Sequence, residues 1–97
     1  MEQDLVNGVA RCVKRLRHAK EISQEELAER SGLDRTYISG IERAVRNISL
    51  NSLASVIAGL GLSLPEFFAE LMREFRPLES NAKTEKDKSS DTPKVAR

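Results

Sequence analysis

SQEELAERSGLDRTYISGIERAVRN, residues 23–47, reads as two short helices held at a sharp angle, and the rest of the chain is best understood around them. Ser23 with Glu26 three residues on has the S-x-x-E pattern of a capping box, in which each side chain accepts a free backbone N–H of the other residue. A helix therefore starts at Gln24. It runs to Arg30 or Ser31, because Gly32 can take positive φ with no Cβ to clash and so closes a helix in the left-handed conformation. Asp34 is placed to cap a second helix, from Arg35 to about Arg43. Ala28 is small where the two backbones should cross, and Ile38 and Ile41, one turn apart, pack the second helix onto the first with Leu27 and Leu33. A turn of three to four residues containing glycine makes this pair a helix-turn-helix.

On the N-terminal side, Leu5, Val9, Cys12, Val13 and Leu16 recur at three- and four-residue intervals from about Asp4 to Lys20, the period of an amphipathic helix. Arg11, Lys14, Arg15 and His18 project opposite that stripe, as either a solvated face or a phosphate-facing patch. On the C-terminal side, Ser49 caps a fourth helix, with Ile48 and Leu53 placed as a hydrophobic staple. Leu50, Leu53, Val56, Ile57 and Leu60 form its stripe, and Gly59 and Gly61 its stop. Ser63 and Glu66 form a second S-x-x-E box, with Pro65 in the first turn of a fifth helix that carries Leu64, Phe67, Phe68, Leu71, Met72 and Phe75. Beyond Arg76 the sequence has mixed charge, few apolar residues and no period, the composition of a chain that cannot offset its ordering entropy. The expected architecture is all-α: a compact five-helix bundle over residues 1–76, followed by a disordered charged tail over 77–97.

Composition excludes several function classes. A chain of 97 residues with 39% hydrophobic content suits one small core. It has no apolar run of about 18 residues for a membrane span and no signal-peptide pattern at its start, which predicts a cytoplasmic protein. One cysteine and one histidine provide neither a disulfide nor a metal site. Paired acids, a metal cluster and an activated nucleophile are all missing from the inventory, so an enzyme is not expected, nor a cofactor. The net charge of +1 does not by itself point to nucleic acid. The cations are segregated, however, with Arg11, Lys14, Arg15, Arg17 and Lys20 in an acid-free run of ten residues.

With Ile38 and Ile41 inward, the third helix turns Thr36, Ser39, Gly40 and Arg43 outward, with Arg35 in its first turn and Tyr37 on its flank. That face has no large apolar group. Arg35 has the geometry for bidentate pairing with guanine, and Thr36 offers a hydroxyl and a methyl for thymine, so these two are the candidate base readers. Ser23, Gln24, Tyr37, Ser39, Arg43, Arg46 and Asn47 are the candidate backbone anchors. Gly40 either permits close approach or is a tolerated helix glycine. Glu42, on the flank, suits a structural ion pair.

The segment LDRTYISGIERAVRNISL, Leu33 to Leu50, resembles the Xre or phage-repressor (lambda-repressor-like) regulators, and within them the controller proteins of restriction-modification systems. The resemblance covers roughly residues 5–76. It implies a transcription regulator that binds paired operator half-sites on double-stranded DNA and autoregulates its own operon, activating at low occupancy and repressing at high. It also implies that Glu25 and Glu29, one turn apart on the second helix, are candidate contacts for RNA polymerase. A phage-type repressor or antitoxin-like autorepressor is the alternative among DNA binders, and a helix-turn-helix fold used only for oligomerisation is the alternative outside them. One short helix reads too few base pairs, so two copies should place their recognition helices about 34 Å apart. Leu64, Phe67, Phe68, Leu71 and Met72 are the expected homodimer surface, being more apolar area than one small core absorbs.

Overall fold

The computed structural model describes residues 2–75. Five helices follow one another: α1 Glu2–Ala19, α2 Gln24–Ser31, α3 Arg35–Glu42, α4 Leu50–Gly59 and α5 Leu64–Met72. The all-α expectation holds over this range. The tail expected at 77–97, like Arg76, lies outside the described residues.

The helix ends follow the local chemistry of the sequence. Ser23, Asp34, Ser49 and Ser63 each accept a backbone N–H of the first turn of their helix. At Ser63 the box is complete: Glu66 Oε1 accepts from Ser63 N at 2.8 Å while Ser63 Oγ accepts from Glu66 N at 3.2 Å. At Ser23 only half of it forms. Ser23 Oγ accepts from Glu26 N at 2.9 Å, but the Glu26 carboxylate turns forward to Arg30 at 2.7 Å, one helical turn on, instead of back to the cap. Gly32, at φ 68°, ends α2 in the left-handed conformation, and Leu33 N donates back to Ala28 O at 3.0 Å. Ala44 performs the same turn after α3 at φ 62°, without glycine's freedom.

α2 lies at the centre, packed on α4 and α3, while α1 bridges α3 and α5. The core joins Val9, Cys12, Val13 and Leu16 of α1 to Leu27, Ile38, Ile41, Leu53, Val56, Ile57, Leu60 and Phe67. Gly59 sets the α2–α4 approach, since a Cβ there would lie 2.5 Å from Ser31 Oγ and 3.3 Å from Ser31 N. No single helix among the described residues is long and apolar enough to cross a membrane.

Three expectations about apolar residues change. Phe67 and Leu71, expected on the dimer surface, point into the chain's own core, with Phe67 wholly buried. Their positions one turn apart on α5 place both on the face that meets α1 and α4. Phe75, expected with part of Met72 beside Phe68 at the dimer contact, instead packs on the core, its ring occupying the space where a Gly8 Cβ would stand. Conversely Leu5 and Leu50, expected inside, are 55% and 84% exposed, because each sits in the first turns of its helix beyond the edge of the core.

The arginines of the cationic run are tied into the fold, while Lys14 and Lys20 are exposed. Arg15 pairs with Glu70 and Glu74, both at 2.8 Å, and Arg11 pairs with Glu74 at 3.2 Å, clamping α5 and the residues after it to α1. These two carboxylates raise the Arg15 pKa further, and Arg15 in turn holds Glu70 below the ordinary carboxylate value. Burial pushes the Cys12 thiol up to about 11, so it stays protonated and packs as a small apolar group.

Candidate nucleic-acid interface

The outer face of α3 is held in place from beneath. Ile38 and Ile41 are buried, and the residue after Ile41, Glu42, forms a buried ion pair with Arg17 of α1. Arg17 Nε donates to Glu42 Oε2 at 2.6 Å and Nη2 to Oε1 at 3.0 Å, and Nη1 donates to Ile22 O at 2.8 Å. Gln24 Nε2 donates to the same Oε1 at 3.0 Å. The start of α2, the end of α1 and the end of α3 thus meet on one carboxylate. Charges taken from water need this degree of satisfaction, and Glu42 has it.

The sequence pointed to Glu42 as a structural ion-pairing group but missed Arg17 as its partner. A signal was present. Arg17 is four residues from Val13 and Glu42 four from Ile38, so each stands on the buried flank of its helix with opposite charge.

Above this support the candidate readers are free of packing. Arg35 and Thr36 are exposed at the first turn of α3. Thr36 N is capped by Asp34 Oδ2 at 2.9 Å, leaving the threonine side chain outward. Arg35 Nε lies 3.9 Å from Glu25 Oε2 across the turn, an exposed and loose contact that gives way readily to a stronger acceptor. Arg43 and Asn47 are exposed, and Ser39 accepts from Arg43 Nε at 3.3 Å. Ser23 is exposed with its oxygen engaged as the α2 cap, which leaves the hydroxyl hydrogen to donate. Gln24 keeps a second N–H and its carbonyl beyond the bond to Glu42.

Tyr37 and Arg46 form a unit that the sequence did not announce. The Arg46 guanidinium carbon lies 5.4 Å from the centre of the Tyr37 ring, within cation–π range. With Leu33, Asp34, Thr36 and Ser52 these two line an open depression of about 570 Å³ between the start of α3 and the start of α4. The Arg46 cation, the Tyr37 phenol and the hydroxyls of Thr36 and Ser52 line it beside the Asp34 carboxylate, which is engaged as the α3 cap, and the donors among them suit a phosphodiester. Among the described residues no group of three or more His, Cys, Asp or Glu side chains could hold a metal ion.

A second surface lies between α1, α4 and α5. Leu64, Phe68 and Met72 succeed one another at four-residue spacing on α5 and are 52%, 44% and 67% exposed. Next to Phe68, an apolar groove of about 400 Å³ is lined by Leu5, Val6, Val9, Ile48, Leu50 and Leu53. The two leucines displaced from the core therefore add to the face on which the sequence placed a dimer contact.

Residues 13–67 match the family described as Helix-turn-helix. Control protein C.MunI of Mycoplasma sp is 46% identical over 63 residues, covering 64% of this chain and 85% of that protein. Control protein C.SmaI of Serratia marcescens is 41% identical over 63 residues, covering 65% and 75%. Among solved structures, the restriction-modification controller protein C.Esp1396I, as a tetramer in complex with its natural 35 base-pair operator, superposes with a TM-score of 0.71 at 46% identity. That match covers 72% of this chain and 92% of the controller.

Proposed function

The chain belongs to the helix-turn-helix family, as a DNA-binding regulator homologous to restriction-modification controller proteins, and from that premise we propose that it binds paired operator half-sites on double-stranded DNA as a homodimer and autoregulates its own operon. The observation that carries the reading is the division of α3. Its inner face is fixed by Ile38, Ile41 and the Glu42–Arg17 pair, while its outer face offers Arg35 and Thr36 with no large apolar neighbour. Arg35 and Thr36 read base edges in the major groove, and Ser23, Gln24, Tyr37, Ser39, Arg43, Arg46 and Asn47 hold the sugar-phosphate backbone on either side. Of the cationic run, Arg11, Arg15 and Arg17 are tied to α3 and to acids in and after α5, while Lys14 and Lys20 are exposed.

Phe68, Leu64 and Met72, with Leu5 and Leu50 around the adjoining groove, are the surface on which two copies meet. Glu25 and Glu29 are exposed on α2 and serve as the polymerase contact, with Glu25 also standing beside Arg35. A regulator of this kind works in the cytoplasm and performs no chemistry on its ligand.

The test is equilibrium binding to a duplex enriched by the chain from a random-sequence pool, at several salt concentrations. Arg35→Ala is expected to lose about 1–3 kcal/mol and to accept other bases at one position, whereas Arg46→Ala weakens all sequences alike and lowers the salt slope by about 1. A pool that enriches no site, or binding indifferent to salt, refutes the proposal.

A further inference from the structure

Gly40 is buried in the middle of α3, although the helical projection of the sequence turns it outward. What covers it is Arg46. A Cβ built on Gly40 would stand 2.5 Å from Arg46 Cγ, 3.3 Å from its Nε and 3.5 Å from its Cδ, and all three of the atoms nearest to it belong to that one side chain. Cγ is near the root of the arginine, so the clash cannot be relieved by swinging the far end alone. Beyond Gly40 the same side chain continues to the ring of Tyr37, 5.4 Å from its centre. The loop that delivers Arg46 is itself tied to Gly40, with Val45 N donating to Gly40 O at 3.0 Å and Ala44 in the left-handed conformation.

We propose that Gly40 is the positioning residue for Arg46: its bare Cα is the track along which the arginine crosses α3 to stack on Tyr37, so that cation and phenol are presented to DNA as one preorganised unit. The inference rests on the DNA-binding reading for its functional half, and on the free chain alone for its structural half. An exposed arginine has several rotatable bonds whose freedom must be surrendered on binding, and a groove in the helix surface that already confines it reduces that loss. Glycine within a helix is unfavourable relative to alanine. Gly40→Ala should therefore move two properties in opposite senses, leaving the helix as stable or more so while weakening binding to DNA.

The chain has one tyrosine and no tryptophan, so its intrinsic fluorescence reports Tyr37 alone. Four full-length proteins decide the matter: wild type, Gly40→Ala, Arg46→Ala and the double variant. Each is measured for thermal unfolding, for Tyr37 fluorescence without DNA, and for binding to the duplex enriched by wild type. Gly40→Ala and Arg46→Ala are expected to shift the tyrosine emission alike and to bind about tenfold more weakly, with the double variant no worse than Arg46→Ala. Should Gly40→Ala fail to fold, the double variant is expected to fold, because the three atoms nearest the new methyl all belong to Arg46. The idea is overturned by a Gly40→Ala protein with unchanged emission, by losses that multiply in the double variant, or by a double variant that also fails to fold. A pool from which wild type enriches no site instead overturns the DNA-binding reading, and the fluorescence and folding results still judge the Gly40–Arg46–Tyr37 stack.

Discussion

Replacing Arg17 by methionine should be among the most damaging single changes in the chain, although arginine at that position looks from the sequence like part of a surface run. The substitution keeps the length of the aliphatic stem but removes both donors to Glu42 and the donor to Ile22 O. Glu42, its side chain 2% exposed, is left with Gln24 as its one remaining partner. Removing one member of a buried ion pair typically costs about 3–5 kcal/mol, since the uncompensated charge stays desolvated. A domain of this size has roughly 4–11 kcal/mol in total, so about half of its stability goes. Glu42→Leu strands the arginine instead and should fall at the lower end of that range, because the guanidinium retains Ile22 O and can bend towards water. The double variant Arg17→Met/Glu42→Leu removes both charges and should return to within about 2 kcal/mol of wild type, the residue being the unpaired Ile22 carbonyl. Urea unfolding followed by circular dichroism gives all three values. If the two single losses add in the double variant, or if Arg17→Met falls within about 1 kcal/mol of wild type, then the pair is not what holds α3 against α1.

Three further outcomes follow from other contacts. Phe68→Glu places a charge in the apolar face of α5 and should weaken self-association by at least about 2 kcal/mol, roughly thirtyfold, with the helical signal unchanged; sedimentation equilibrium that finds the same species in both proteins would reject that face as the interface. Glu70 is held below the ordinary carboxylate value by Arg15 and Glu66 by the Ser63 N–H, so the stability they confer is complete above about pH 4.3 and is lost as pH falls through their lowered values. Melting temperature against pH should therefore drop on the acid side, and Glu70→Gln should flatten that drop; an identical acid limb in the variant contradicts it. Gly59→Ala forces a methyl into contact with Ser31 Oγ and N and should destabilise by about 1–3 kcal/mol, of which part returns in combination with Ser31→Ala. A Gly59→Ala protein that melts higher than wild type would show that α2 and α4 can separate at no cost.

What could be read from the sequence, and what could not, divides by range. Ser49, Ser63, Asp34 and Gly32 end or begin helices through bonds to residues two to four positions away, and those bonds formed where the sequence placed them. Glu26 is instructive because two local partners competed for it, and Arg30 one turn ahead won over the cap behind. Long-range pairings left no comparable trace. Arg11 and Arg15 reach 55 to 63 residues along the chain for Glu70 and Glu74, and nothing in the cationic run itself distinguishes a phosphate patch from a clamp on the last helix. The same holds for Gly40, whose position in the projection gave no hint that Arg46 would fold back across it.

That division has a physical consequence for the interface. The contacts that hold α3 beneath and at its ends include Ile38, Ile41, the Arg17–Glu42 pair and the Asp34 cap. The side chains of Arg35 and Thr36 add to these only one loose approach of Arg35 to Glu25 at 3.9 Å, between side chains 58% and 76% exposed. A solvated contact of that kind is worth little, so residues at these two positions can be exchanged without disturbing the scaffold that aims them. Arg46 does not share this freedom. Its side chain lies across Gly40 and beside Tyr37, so the proposed anchoring side of the surface is packed into the fold while the proposed reading side is not. Changes of operator preference should therefore be concentrated at Arg35 and Thr36, and changes at Gly40, Tyr37 or Arg46 should alter affinity for every operator together.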